Sequence, residues 1–124
     1  MLSVLVVDDE AIVRHALRRV LEHDGMTVLE AESGGAALRL LAGEAKVDAV
    51  VSDVLMPEMN GIDFYDRLVV RVPGLERRVV FLSGGSGDPR VHLSLEARGL
   101  PLLSKLDDLA FVVDAIRVAM LRTT

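Results

Sequence analysis

At 124 residues the chain has room for one hydrophobic core and no second folded unit, so residues 1–124 are expected to act as a single domain. A net charge of −5, with only one Tyr and three Phe, argues against direct nucleic-acid binding and against a platform for stacked bases. The apolar runs are too short to span a bilayer, no cysteine is available for a disulfide or thiolate metal site, and Met1 leads into VLVV without a cleavage signal; a cytoplasmic protein is the expectation.

The first apolar run predicts a strand at 3–7. An amphipathic stretch at 11–23 follows, with Ile12, Ala16, Leu17, Val20 and Leu21 read as its inward face, and Asp24 and Gly25 turn the chain. A second strand at 27–30 leads to Ser33, which is placed to cap a helix over 34–42. The third strand, 49–52, precedes a helix over 60–72 that Pro73 and Gly74 stop. A fourth strand at 79–82 and a helix over 88–98 come next. Last are a short strand at 102–103 and a helix over 108–121, with Leu109, Val112, Val113, Ile116 and Met120 inward. Short β-branched runs alternating with helices spell βαβ units and a parallel sheet covered on both faces. Such a sheet takes its ligand outside the carboxyl ends of its strands, where the connectivity reverses.

Polar residues of the right chemistry fall at that edge. Asp8 and Asp9 follow the first strand, Asp53 the third, Ser83 the fourth and Lys105 the fifth. Three carboxylates held together repel one another unless a cation compensates them, and oxygen ligands without His or Cys suit Mg²⁺, with Mn²⁺ as a substitute. A carboxylate is also a competent nucleophile towards phosphorus, and phosphoryl transfer asks chiefly for in-line positioning and neutralised charge. A metal ion, Lys105 and Ser83 supply the neutralisation.

The segments VLVVDDE at 4–10, VVSDVLMPEMNG at 50–61, VVFLSGG at 79–85 and SK at 104–105 together resemble the response-regulator receiver family along essentially the entire chain. The resemblance implies a doubly wound α/β fold with five parallel strands in the flavodoxin-like order 2-1-3-4-5. It makes Asp53 the phosphorylation site, with Asp9, Asp53 and the main-chain carbonyl of Leu55 as metal ligands and Asp8 binding through water. Lys105 would pair with the phosphoryl group, and the Ser83 hydroxyl would move to it after transfer. The implied function is a phosphorylation-dependent switch of a two-component phosphorelay, served by a histidine kinase or histidine phosphotransfer protein. The chain is then not an enzyme in its own right, beyond catalysing its own phosphotransfer and dephosphorylation. The resemblance leaves the output and any attached domain unnamed and leaves room for a homodimer. Two positions depart from the family pattern: Leu106 follows the lysine where proline is usual, and Leu102 stands where an aromatic residue is common.

Other features have plainer readings. The glycines of SGGSG at 83–87 lack the Walker lysine and read as a loop beside the phosphorylation site. His15, His23 and His92 have no metal-ligand spacing, and Arg71, Arg77 and Arg78 read as solvated charges around a turn. The functional alternative is a receiver-like interaction module that works without phosphate; a flavodoxin-like cofactor binder ranks below it, for want of a phosphate loop after the first strand.

Overall fold

A computed structural model describes residues 1–43, 45–56, 58–84, 89–105 and 109–121. Five strands, β1 (Ser3–Val7), β2 (Thr27–Ala31), β3 (Ala49–Asp53), β4 (Val79–Ser83) and β5 (Leu102–Ser104), form one parallel sheet in the order β2-β1-β3-β4-β5. Five helices, α1 (Ala11–His23), α2 (Gly34–Ala42), α3 (Gly61–Arg71), α4 (Pro89–Ala97) and α5 (Ala110–Met120), alternate with them, and a 3-10 turn at Leu75–Arg78 leads into β4. Every strand and helix expected from the sequence is present, three of them with the expected ends and the others displaced by at most two residues.

Alternation along the strands divides the core between the two faces of the sheet. Leu5 and Val7 of β1 point with Phe81 of β4 towards Leu38 of α2, Phe64 and Leu68 of α3 and Leu95 of α4. Val4 and Val6 point the other way, with Val80 and Leu82, towards Leu17 and Leu21 of α1 and Val112 and Ile116 of α5. Buried on both faces, the central strands read as unbroken apolar runs, as parallel strands do.

Local signals account for most element ends. The Ser33 hydroxyl accepts a hydrogen bond from Ala36 N (3.0 Å) and caps α2, and the Asn60 side chain accepts one from Asp63 N (2.9 Å) and caps α3. Gly25 leaves α1 with φ +85°, the left-handed conformation that glycine adopts at least cost. The inward face of α1 needs one correction: Ile12 is 83% exposed. The side chains that reach the sheet are Leu17 and Leu21, with Val13 and Val20 packed beside them. Ile12 lies about 100° around the helix from Val13 and so outside that stripe.

Gly61 has a different reason to be glycine. A Cβ there would lie 2.8 Å from Cε1 of Phe81 and 3.2 Å from Cα of Val54. Its N–H donates to the carbonyl of Val54 (2.8 Å), so α3 starts pressed against the chain that leaves β3.

The register aligns the carboxyl ends: Val7 lies beside Ser52, Asp53 beside Leu82, and Ser83 beside Ser104. The chain runs from β1 to β2 on one side and then crosses back past β1 to β3 on the other, so the crevice between β1 and β3 is the switch point. The Lys105–Leu106 peptide, the loop glycines 85 and 87, and the start of the last helix at 108 lie outside the described residues. Among the described residues, no helix is long and apolar enough to cross a membrane.

Candidate functional site

Asp8 is the first residue beyond β1, and four residues hold its main chain and carboxylate. Its N–H donates to the carbonyl of Ala31 (3.1 Å), and its Oδ1 accepts from Glu10 N (2.9 Å). Its carbonyl accepts from Arg14 Nη1 (2.7 Å), and its Oδ2 lies 2.8 Å from Lys105 Nζ. Asp53 closes β3 next to it. There Oδ1 accepts from Leu55 N (3.3 Å) and Oδ2 stands 3.1 Å from the same ammonium. Asp8 and Asp53 are 1% and 5% exposed, so both depend on a nearby cation.

Lys105, just past β5, is that cation. Its N–H donates to the carbonyl of Ser83 (2.8 Å), and this directs the side chain back over the ends of β3 and β1. Burial alone would lower its pKa; hydrogen bonds to Asp8 and Asp53, with their charges, outweigh burial and hold the ammonium above its ordinary value. Asp53 is pushed up, first by burial and then by the charge of Asp8, and Lys105 only partly offsets this. One ammonium between two buried carboxylates leaves the site with surplus negative charge.

Asp9 and Glu10 add to that surplus. Oxygen atoms of Asp8, Asp9, Glu10 and Asp53 lie within 4.8 Å of one another, and the Glu10 Oε1 is 3.5 Å from Lys105 Nζ. A donor set of carboxylate oxygens alone, overcharged and open on the side of the exposed Asp9 and Glu10, fits a hard divalent ion that keeps part of its water.

The structure thus brings together Asp8, Asp9, Asp53 and Lys105, and sets Ser83, 8% exposed, at the adjoining strand end. Leu55 contributes its main-chain N–H to Asp53, while its side chain faces solvent. His15 and His23 are exposed on α1, outside the acidic cluster. Arg71 and Arg78 line a cavity of about 500 Å³ at the opposite, amino edge of the sheet. Two residues of the site were not singled out in the sequence. Glu10 was visible only as the third acid of the DDE run, and Arg14 carried no signal that it would reach the Asp8 carbonyl.

Comparison with known proteins agrees with this geometry. A family model described as "Response regulator receiver domain" matches residues 4–117. The response regulator MprA of Mycolicibacterium vanbaalenii is 34% identical over 121 residues, which cover 98% of this chain and 51% of MprA. The sensor kinase CckA of Brucella abortus is 44% identical over 89 residues, covering 69% of this chain and 9% of CckA. The chain therefore spans about half the length of MprA, and far less of CckA. Among solved structures, a response regulator receiver domain protein from Clostridium thermocellum superimposes with a TM-score of 0.86 at 28% identity, covering 98% of this chain and 96% of that one.

Proposed function

This chain belongs to the response regulator receiver family, and from that premise we propose that Asp53 takes a phosphoryl group from a phosphohistidine on a partner histidine kinase or histidine phosphotransfer protein. The domain is a receiver of two-component signalling, a phosphoacceptor rather than an enzyme acting on a separate substrate. One observation carries the assignment: Asp53 is buried, is held on Oδ1 by Leu55 N and on Oδ2 by Lys105, and stands inside a cluster of carboxylates.

The chemistry follows from those positions. An Asp53 oxygen forms the new P–O bond as the P–N bond to the partner's imidazole breaks, and the electron pair leaves with the imidazole. Asp9, Asp53 and the main-chain carbonyl of Leu55 would hold Mg²⁺ or Mn²⁺, with Asp8 acting through water. When bound, the ion neutralises phosphoryl oxygens and offsets the crowded carboxylates. Lys105 donates to a phosphoryl oxygen from the β5 side, and the Ser83 hydroxyl donates to another once the group is in place. The added charge then shifts the domain towards whichever arrangement gains those two contacts.

The test is intact mass after incubation with acetyl phosphate and Mg²⁺. One phosphoryl group on the unmodified protein and none on Asp53→Asn is expected. Equal incorporation by both would refute the assignment.

A further inference from the structure

Arg14 connects the acid site to a part of the molecule that takes no direct part in the chemistry. It lies one helical turn beyond Glu10, its own N–H donating to the Glu10 carbonyl (3.1 Å). Its guanidinium spans two anchors: Nη1 donates to the Asp8 carbonyl (2.7 Å) and Nε donates to Glu30 Oε1 on β2 (3.2 Å). Arg18, a turn further on, donates from Nε to the other oxygen, Glu30 Oε2 (2.7 Å). With both oxygens taken, Glu30 is a fixed anchor. The Arg14 side chain is 16% exposed, which shields the pair from solvent and salt more than an open surface pair.

A peptide unit is planar, so holding the carbonyl oxygen of Asp8 sets the plane of the bond to Asp9 and the direction in which the Asp9 Cα departs. The Asp9 side chain, by contrast, is exposed. We propose that Arg14, backed by Glu30, is a positioning residue of the acid site: it fixes the 8–9 peptide and thereby aims the Asp9 carboxylate at the divalent ion. The inference rests on the metal reading above and adds a residue that touches neither the ion nor the phosphoryl group.

Electrostatics and positioning predict opposite signs for the same substitution. Removing a cation beside an acidic cluster strengthens binding of a divalent cation if charge is all that changes. Removing a group that orients a ligand weakens it, by roughly tenfold for outer partners of metal ligands.

The experiment titrates Mg²⁺ into the unphosphorylated protein and follows amide NMR shifts for the unmodified chain, Arg14→Ala, Arg14→Lys, Glu30→Gln and Arg98→Ala. Thermal unfolding without Mg²⁺ runs in parallel. Arg98, just past α4 and paired with Asp66 of α3 at 2.6 Å, is the control for losing an ion pair away from the site. Arg14→Ala is expected to weaken Mg²⁺ binding roughly tenfold and to move the Asp9 amide in the metal-free protein. Arg14→Lys keeps the charge but lacks the planar fork, and recovers only part of the affinity. Glu30→Gln gives a smaller loss in the same direction, and Arg98→Ala leaves affinity unchanged. If Arg14→Ala fails to fold, Glu30→Gln carries the test. Unchanged or tighter Mg²⁺ binding in the folded Arg14 and Glu30 variants overturns the inference, while an unmodified protein that binds no Mg²⁺ overturns the metal reading beneath it.

Discussion

The two halves of the site are built on unlike foundations. Asp8 and Asp53 extend from β1 and β3, two of the three inner strands, whose side chains are buried almost throughout. Lys105 extends from β5, a three-residue edge strand whose side chains are all only half-buried. The two buried acids therefore have fixed positions, whereas the amine is held by the acids themselves, and only the Lys105 main chain is tied down, by its N–H bond to the Ser83 carbonyl. On the proposed reading, a nucleophile and metal ligands would gain from rigidity, because in-line attack tolerates little misplacement. On the same reading, Lys105 would have to re-pair when phosphate arrives, and would gain from a looser mounting.

The sharpest way to break this comparison is Lys105→Met. Removing one donor to the developing charge is expected to slow phosphorylation by roughly a hundredfold without abolishing it, whereas Asp53→Asn abolishes it. Rates with acetyl phosphate decide the matter, and equal losses in the two variants would mean that the halves are not separable. Stability gives a second contrast. Leu5→Ala, in a fully buried site on β1, is expected to cost about 3 kcal/mol in urea unfolding, and Leu103→Ala, half-buried on β5, less than half of that. Comparable costs would show that β5 is as firmly built as β1.

Ser83→Ala should retain phosphorylation yet lose most of the amide shift changes that a beryllofluoride mimic produces across residues 89–104. Retention of those changes would place the switch elsewhere. The smallest effect concerns Glu30, remote from the reaction. Burial pushes its pKa up, but hydrogen bonds and charge from Arg18, then Arg14, bring it below the ordinary 4.5. Its contribution is therefore complete above that value and disappears as pH falls through the lower folded value. For a partly exposed pair it amounts to less than about 1 kcal/mol. Glu30→Gln should flatten the acid limb of the stability curve below about pH 4.5, and a limb as steep as the unmodified protein's would contradict the assignment.

The strand-end residues were legible because their positions follow from pattern. Apolar runs locate the strands, parallel pairing aligns their ends, and Asp8, Asp53, Ser83 and Lys105 fall at one edge as a result. Ile12 was misread because apolar character alone does not set the phase of a helix in its first turn. The Arg14–Glu30 pair joins residues sixteen apart on different elements, a spacing to which no helical or strand period corresponds. Leu75 was missed for a related reason: Pro73 and Gly74 announce the end of α3 but say nothing of the 3-10 turn that buries Leu75 beneath it.

The contact between Gly61 and the ring of Phe81 also constrains the routes by which this sequence can diverge. With 2.8 Å between a would-be Cβ and the ring, any larger residue at 61 must displace a fully buried side chain or the start of α3. A smaller residue at 81 relieves the clash but opens a cavity costing about 3–5 kcal/mol when it arises alone. Each change is damaging by itself and less so in company, so their energies are not additive. Descendants of this chain that replace Gly61 are therefore expected to carry an altered residue at 81 as well, and the two should be lost and regained as a pair.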